Sequence, residues 1–253
     1  MEPRRKNKIS VLIPSFNSEF TICRAVDSVL QGKEMPCEIL IYDDCSNVES
    51  RKVLENIEST KHLVKVFYGD VNRGAGYARR FLIDKSSGDY IAFLDADDWW
   101  SSDKISTITD VIEKENPDVI SSWYEIIGHN GKKIGVRRLP ERITFFKMHF
   151  SNWLPMSMTV VRSTLAGVDE MPLIRRRQDY GYWFNIFKKN KGLKCWVIAD
   201  VLGGYTRQND SLSSNPAKNI LSNYLMFRQV VGYNVFYSIF FVLCNALVRV
   251  CRV

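Results

Sequence analysis

The feature that most constrains the fold is an apolar run that ends abruptly in carboxylates. Residues 90–94 have the length and composition of a buried β-strand, and Asp95, Asp97 and Asp98 follow at once. Carboxylates are costly inside a sheet unless they are paired, so this strand must end at a polar edge. Such a cluster suits a hard divalent cation that keeps open positions for phosphate oxygens. A solvated acidic turn before the next helix would give the same pattern.

Strands and helices alternate along the first half of the chain. Strands are predicted at 9–13, 37–42, 64–68 and 90–94, and helices at 20–30, 48–58 and 77–85. This alternation is typical of a parallel sheet with helices on both faces, and ligands bind such sheets at the carboxyl ends of the strands. We therefore expect the polar residues at 15–17, 43–44 and 95–97 to converge at one edge.

The second half is less regular. Helices are predicted at 104–114 and 180–189, and strands at 119–127, 132–138, 156–162 and 193–199. Asn130-Gly131 is typical of a hairpin turn. Gly203-Gly204 is predicted to open a polar loop that runs to Pro216. We find no linker long enough to separate independent domains.

Composition limits the class of protein and its partners. A chain of 253 residues with 45% hydrophobic residues can bury a large α/β core. The net charge of +7 favours nucleotide phosphates or an acidic membrane surface as partners. Nucleic acid is not expected, because the basic residues are scattered and no binding motif accompanies them. The six cysteines lack metal-ligand spacing, and no signal peptide is visible, so we expect a cytosolic protein.

Five short motifs, in order, resemble those of family-2 glycosyltransferases, of the bacterial type that builds surface polysaccharide. They are the opening strand at 11–17, the D-D-G-S turn at 41–46, the N-x-G-x-x-x-A-R segment at 72–79, the D-x-D at 93–98, and the E-D before an aromatic helix at 178–180. The resemblance implies an α/β GT-A fold, with a Rossmann-like, mostly parallel sheet. It covers a domain at 1–215, with a nucleotide-sugar half at 1–97 and an acceptor half at 98–215.

The resemblance also implies roles at the nucleotide. Phe16, after Pro14, would stack on the uracil of a nucleotide sugar, unless it is a core aromatic residue. Asp44 would accept the uracil N–H, with Asp43 as the alternative. Arg79 would lie near the nucleotide, although an arginine on an exposed helix face would look the same in the sequence.

The D-x-D motif, Asp95-Ala96-Asp97, would bind the donor and a metal ion. Asp97 would be the ligand of Mn²⁺ or Mg²⁺, which stabilises the departing diphosphate. Asp95 would touch the ribose or support the metal site.

Asp179 is the predicted general base. An inverting transfer needs one carboxylate beside the acceptor hydroxyl, opposite the departing diphosphate. The alternative is that Asp179 is the N-cap of the helix that follows. Gln178 stands where the family has a second acidic residue.

Other departures from the family pattern concern the backbone and the basic residues. Cys45 replaces the glycine of the D-D-G-S turn, so its backbone is expected to avoid a strained φ. The late R-x-H-x-x-S segment corresponds to 206–211, with Arg207 as the nearest candidate for a phosphate contact. Arg177, in the run 175–177, could contact phosphate or the acceptor, or lie in a solvated basic loop.

The tail at 216–253 is predicted to be an amphipathic helical segment that associates with the membrane. A helical projection places a few polar residues in one narrow stripe among aromatic and aliphatic residues. The apolar run is marginal for a spanning helix, so we expect it to lie in the cytoplasmic leaflet. A helix that covers the domain or a dimer partner is the alternative. The stripe consists of Asn234, Ser238, Asn245, Arg249 and Arg252.

Together these features favour an inverting, metal-dependent glycosyltransferase at the inner face of the bacterial cytoplasmic membrane. It would move one sugar, from a UDP-hexose, to a lipid-diphosphate-linked saccharide acceptor and form a β-linkage. A nucleotidyltransferase is an alternative, but the segment 14–17 lacks its glycine-rich phosphate loop. A catalytically degenerate scaffold of the same fold is another.

Overall fold

The computed structural model describes residues 7–128, 130–207 and 216–250. The strands are β1 (Ile9–Ser15), β2 (Glu38–Asp43), β3 (Val64–Tyr68), β4 (Tyr90–Phe93), β5 (Trp99–Trp100), β6 (Val119–Ile127), β7 (Lys133–Arg137), β8 (Thr159–Arg162) and β9 (Cys195–Thr206). The α-helices are α1 (Ile22–Leu30), α2 (Val48–Thr60), α3 (Ala75–Lys85), α4 (Lys104–Glu115), α5 (Phe145–Met148), α6 (Gln178–Lys189), α7 (Pro216–Leu225) and α8 (Val235–Val250). Short 3₁₀ turns cover Met156–Met158 and Val168–Glu170, and a π-helical turn covers Met226–Val231.

The described strands form one mixed sheet in the order β3-β2-β1-β4-β8-β6-β9-β5, and β7 pairs with β6. The first-half strands β3, β2, β1 and β4 are parallel to their neighbours, as predicted. The second half adds β8 antiparallel to both β4 and β6. Because Ser15 is in register with Asp43, the carboxyl ends of β1 and β2 lie side by side.

Helices cover both faces of the sheet. On one face α1, α2 and α4 pack against the strands, as in the cluster of Val26, Leu54 and Ile108. On the other face α3 and α6 contribute Leu82 and Trp183 to a second cluster. Burial of these large aliphatic and aromatic side chains is the main favourable term in folding.

The predicted loop at Gly203-Gly204 is wrong, because both glycines lie inside β9, which continues to Thr206. They pair with β5, where Trp99 is in register with Gly204. A Cβ atom on Gly204 would lie 2.2 Å from the Trp99 Nε1 atom, so only glycine fits beneath this indole. Glycine serves close packing here rather than a turn.

The tail packs onto the second cluster through its π-helical turn and α8. Met226, Phe227 and Val242 are buried there beside α6 residues. Residues on both sides of the predicted boundary at 215/216 thus share one core, and the boundary itself stays a prediction. None of the helices in the described ranges has the length and apolarity needed to cross a bilayer.

Two residues of the polar stripe, Ser238 and Asn245, face the protein rather than solvent. Ser238 is fully buried, and the Asn245 amide donates to the His149 carbonyl at 2.7 Å. Asn234 accepts the Tyr237 backbone N–H at 3.0 Å, at the start of the helix. Arg252 and the side chain of Arg249 lie outside the described residues.

Lys104 is a buried cation that makes stability depend on pH. Its Nζ donates to Ser122 Oγ at 2.8 Å and to the Met158 carbonyl at 3.1 Å. Burial lowers the Lys104 pKa from 10.5 to about 7. Between these two values the unfolded chain holds a proton that the folded chain has lost, so this contribution to stability grows as pH rises.

Lys104→Met should therefore be more stable than the wild type at pH 7, with a gap that narrows towards pH 10. The difference in free energy of unfolding between the two proteins should change by at most about 1.4 kcal/mol per pH unit, since one proton is involved. Urea unfolding of both proteins across this range measures the difference and cancels the other titrating groups. A gap that is constant with pH would contradict the assignment.

Candidate active site

The loops after β1 and β2 are joined by hydrogen bonds, so two of the three polar strand ends predicted to converge, 15–17 and 43–44, lie together. Asp44 donates its backbone N–H to the Ser15 carbonyl at 2.8 Å, and Asn17 donates its own to Ser46 Oγ at 2.9 Å. Phe16 projects from this junction with half of its surface exposed, which excludes the alternative of a core aromatic residue. An exposed ring at the carboxyl edge of a sheet is a suitable stacking surface.

Asp43 and Asp44 are both buried and both shape the surrounding loops. Asp43 accepts a hydrogen bond from Arg51 Nε at 3.1 Å, while its Oδ1 atom has no partner among the described residues. Asp44 accepts the backbone N–H groups of Arg73 and Gly74 at 2.8 and 2.6 Å. These contacts fix the loop before α3, and recognition of uracil by either residue stays a prediction.

The expectation that Cys45 avoids a strained backbone is wrong. Its φ is +62°, in the left-handed region that glycine enters freely and other residues enter at a cost. Its thiol donates to the Asp70 carbonyl, with Sγ and O 3.3 Å apart. The turn keeps the shape associated with glycine although the residue has changed.

Cys45→Gly should raise the free energy of unfolding by about 1 kcal/mol, because glycine adopts this φ without the Cβ penalty. Cys45→Ala is the matched control, since it removes the thiol but keeps Cβ, and it should not stabilise. Thermal and urea unfolding of the three proteins measure the effect. Equal stabilisation by both substitutions would point to the thiol instead of the backbone.

Arg79 joins the D-x-D turn to the start of α6. Its guanidinium pairs with the Asp95 carboxylate at 2.5 Å and donates to Gln178 Oε1 at 3.5 Å. Arg79 is almost fully buried, so the alternative of an exposed helix face is excluded. Gln178, which replaces the acidic residue of the family motif, accepts from this arginine as an uncharged partner.

Asp98 has a structural role at the end of the D-x-D turn. It is fully buried, accepts a hydrogen bond from Ser157 Oγ, and accepts the Thr206 backbone N–H at 2.8 Å. Burial, with smaller contributions from Asp97 and Asp95, raises the pKa of Asp98 well above its usual range. These bonds join the ends of β4, β8 and β9.

The D-x-D turn fits a metal ion that arrives with its substrate. Within the described part of the chain, no group of three or more His, Cys, Asp or Glu side chains could hold an ion. Asp95 pairs with Arg79, Asp98 is buried, and Asp97 lines the same cavity as both. Mg²⁺ is commonly bound by one or two carboxylates plus substrate phosphates, which matches this arrangement.

Asp179 lies in the first turn of α6 and points its carboxylate at a neighbouring loop. Asn152 Nδ2 donates to Asp179 Oδ2 at 2.6 Å. The N-cap position belongs to Arg177, whose φ is +62°, so the alternative that Asp179 caps the helix is excluded. Non-glycine residues in this conformation cluster at functional sites.

One cavity of about 380 Å³ brings most of these side chains together. Asp95, Asp97 and Asp179 line it with Arg79 and Tyr205. Burial raises the Tyr205 pKa to about 12, with Asp98 and Asp97 adding to the effect, so its hydroxyl keeps its proton at neutral pH. Also in the lining are Ala75, Met156, Ser157, Arg175, Arg176, Arg177, Gln178, Thr206 and Asn219.

Other predicted site residues are not in the lining of this cavity, including Phe16, Asp43 and Asp44 at the ends of β1 and β2. Pro14 is part of β1, and Ala96 is buried in the first cluster of core residues. Arg207 is exposed and donates its backbone N–H to the Ile127 carbonyl at 2.8 Å. The rest of the late motif, 208–211, lies outside the described residues, so the role of Arg207 stays a prediction.

Three contributors to the site carry no sequence motif. Asn152 orients Asp179, and Ser157 joins Asp98 to the backbone N–H of Asp95. Arg24, on α1, donates to the Asp97 carbonyl. Each acts across the fold, so spacing along the chain could not indicate it.

Known proteins resemble this chain over most of its length. TuaG of Bacillus subtilis (strain 168), named provisionally as a teichuronic acid biosynthesis glycosyltransferase, is 28% identical over 89% of both chains. WfgD of Escherichia coli, named a UDP-Glc:α-D-GlcNAc-diphosphoundecaprenol β-1,3-glucosyltransferase, is 31% identical over 84% of this chain and 82% of its own.

A solved structure shares the fold at low sequence identity. The mannosyltransferase PcManGT of Pyrobaculum calidifontis, in complex with GDP-Man and Mn²⁺, has a TM-score of 0.68 and 13% identity, over 96% of this chain and 70% of that one. The predicted α/β GT-A fold is thereby confirmed. The family model described as glycosyl transferase family 2 matches residues 10–176, and with the relatives above it shows that the chain belongs to that family, as a glycosyltransferase of the bacterial surface-polysaccharide type.

Proposed function

We propose that the protein moves one sugar from a UDP-hexose to a lipid-diphosphate-linked saccharide, with inversion to a β-linkage, in O-antigen or capsule synthesis. The observation that carries the proposal is the single cavity lined by both Asp97 and Asp179. An inverting displacement needs a group that stabilises the leaving diphosphate and a base beside the attacking hydroxyl. Asp97 and Asp179 are suited to these two tasks.

Asp179 takes the proton of the acceptor hydroxyl as its oxygen bonds to the donor C1 carbon. The bond from C1 to the diphosphate oxygen breaks at the same time, and UDP leaves with the electron pair. Asn152 holds the Asp179 carboxylate in place through one hydrogen bond, which leaves the other oxygen for the hydroxyl. Arg79, paired with Asp95, stiffens the wall between the two groups.

Asp97 would hold Mn²⁺ or Mg²⁺ together with the donor diphosphate. The ion, when bound, neutralises charge on the leaving diphosphate, so that no acid needs to protonate it. The Mn²⁺ in PcManGT supports this choice of ion. Phe16 and Asp44 would bind the base, with Pro14 and Ala96 shaping the backbone around it.

Relatives support the two substrate classes. The name of WfgD includes a UDP-sugar donor and a diphosphoundecaprenol acceptor. The name of TuaG includes a surface polymer. The nucleotide-sugar donor and the lipid-linked acceptor would be brought together at the inner face of the cytoplasmic membrane.

Release of UDP from a panel of UDP-sugars tests the reaction. The assay contains a synthetic lipid-diphosphate sugar and either Mn²⁺ or EDTA. We expect release from one donor, dependent on acceptor and abolished by EDTA. If no UDP is released from any UDP-sugar with any acceptor, the proposed donor class is refuted and a catalytically degenerate scaffold of the same fold is favoured.

The outer face of α7 and α8 is the proposed membrane contact. Phe236, Phe240 and Leu247 are exposed by 84%, 55% and 66% on α8, and Ile220 and Leu221 are exposed on α7. An apolar strip on this scale is unusual for a soluble surface, and it marks an interaction site. A lipid surface is the fitting occupant, because the proposed acceptor is anchored there and the chain is basic.

The triple variant Phe236→Ser, Phe240→Ser and Leu247→Ser should bind anionic vesicles at least about tenfold more weakly than the wild type, since it loses three large exposed apolar side chains of this face. Co-sedimentation with phosphatidylglycerol vesicles measures the effect. The matched control is Phe20→Ser, Val48→Ser and Ile134→Ser, which removes exposed apolar residues elsewhere and should bind normally. Equal binding by the two variants would refute this surface.

A further inference from the structure

Three consecutive arginines face the active-site cavity from the segment before α6. Arg175, Arg176 and Arg177 all line it. Among the described residues, neither Arg175 nor Arg177 forms an ion pair with a carboxylate. Guanidinium groups match phosphate oxygens in geometry, so a cavity lined by three of them suits a diphosphate.

The other charged residues of the cavity have partners or tasks of their own, so the three arginines can be considered as a separate anion-binding region. Arg79 is already paired with Asp95 at 2.5 Å, so these two charges offset each other. Asp97 follows β4 and is suited to the metal-bound donor diphosphate. The arginines precede α6, on the segment that leads to Asp179.

The residue that follows the arginine segment packs against α3. Gln178 packs on Gly76, where a Cβ atom would lie 3.0 Å from the Gln178 Cδ atom. Arg177 keeps a φ of +62° at the junction with α6. A binding loop that is ordered before its ligand arrives loses less entropy on binding.

A path for a lipid leads from the same cavity to the apolar surface. Asn219 of α7 lines the cavity and is almost fully buried. The next two residues, Ile220 and Leu221, are exposed by 52% and 57% and continue into the membrane face described above. A ligand with a phosphate head and an apolar chain fits this sequence of surfaces.

We propose that Arg175–Arg177 bind the diphosphate of the lipid-linked acceptor, with its lipid leaving along α7. The inference rests on the proposed function and deepens it. Arg177 precedes Asp179 by two residues and both line the same cavity, so a diphosphate bound there keeps the acceptor sugar in the cavity that holds the base.

The test compares acceptors with and without the diphosphate. Binding of undecyl-diphosphate N-acetylglucosamine and of octyl N-acetylglucosaminide is measured by calorimetry, and the KM of each is measured where turnover occurs. In Arg175→Gln/Arg176→Gln the Kd and KM of the diphosphate acceptor should rise at least about tenfold. The values for the octyl glycoside and for the nucleotide sugar should not change. Arg177 is left unchanged because a substitution could disturb its left-handed backbone conformation. The matched control is Lys52→Gln/Lys191→Gln, which removes the same amount of charge from exposed positions.

Each failure has a different meaning. Equal wild-type affinity for the two acceptors would overturn the inference, whether or not any donor is used. A rise in the KM of the nucleotide sugar alone would assign the arginines to the donor diphosphate and overturn it as well. The wild-type protein could also bind the diphosphate acceptor through the arginines and yet transfer no sugar to it. That result would count against the proposed reaction and not against the arginine site.

Discussion

Asp97→Ala should lower kcat by at least about a thousandfold, because it removes the side chain proposed to hold the metal ion beside the leaving diphosphate. The substitution should also weaken UDP binding in the presence of Mn²⁺ while leaving binding in EDTA unchanged. The folded structure should persist, since Asp98 and Asp95 keep their bonds to Thr206 and Arg79 in this variant. UDP release and calorimetric UDP titrations, each with Mn²⁺ and with EDTA, give both quantities.

Asp103→Ala is the matched control for this experiment. Asp103 is close in sequence and pairs with Lys33 at 2.5 Å on the surface, outside the cavity lining. Exposed ion pairs of this kind contribute little to stability, so activity should stay within about twofold of the wild type. Unchanged turnover in Asp97→Ala would refute the metal assignment.

Asp95→Ala should behave differently from Asp97→Ala because Asp95 is paired with buried Arg79. Leaving a buried guanidinium without its carboxylate costs more than an exposed pair would suggest, so a loss of stability should accompany any loss of activity. The two aspartates of one D-x-D motif thus have separable tasks. Only the fold reveals this division, because the motif contains both.

Sequence patterns predicted two strands of the sheet with their observed bounds. β3 and β6 match their predicted ranges because both are rich in β-branched and aromatic residues, which favour strands. The same reasoning failed at Gly203-Gly204, where glycine usually indicates a turn. The indole of Trp99, a hundred residues away, requires glycine there, and no local pattern records that contact.

The motif residues of the site were predicted in identity but not in their partners. Asp97, Arg79 and Asp179 were found because each belongs to a motif, and the cavity brings them together. Asn152 and Ser157 come from an irregular segment whose position depends on tertiary packing. The orientation of α8 was also beyond the sequence, since a narrow polar stripe can face either solvent or, as here, buried hydrogen-bond partners.

Asp179→Asn should preserve donor binding and lower transfer at least about a hundredfold, because the amide cannot accept the proton of the acceptor hydroxyl. The variant keeps the size of the side chain and can still accept the hydrogen bond from Asn152. Loss of one acidic residue from the first turn of α6 costs about 0.5 kcal/mol, so the protein should remain folded. The measurements are kcat for transfer, the Kd of UDP with Mn²⁺, and the melting temperature.

Two further variants separate the base from its surroundings. Asp169→Asn makes the same chemical change at an exposed carboxylate that pairs with Arg80, and it should transfer sugar normally. Asn152→Ala keeps the Asp179 carboxylate but removes the hydrogen bond that orients it. Its activity should fall by about tenfold, which is less than the loss in Asp179→Asn. Because the metal and donor contacts are intact in all three, a wild-type rate in Asp179→Asn would move the base to another residue. A loss of UDP binding in that variant would instead make Asp179 part of the donor site.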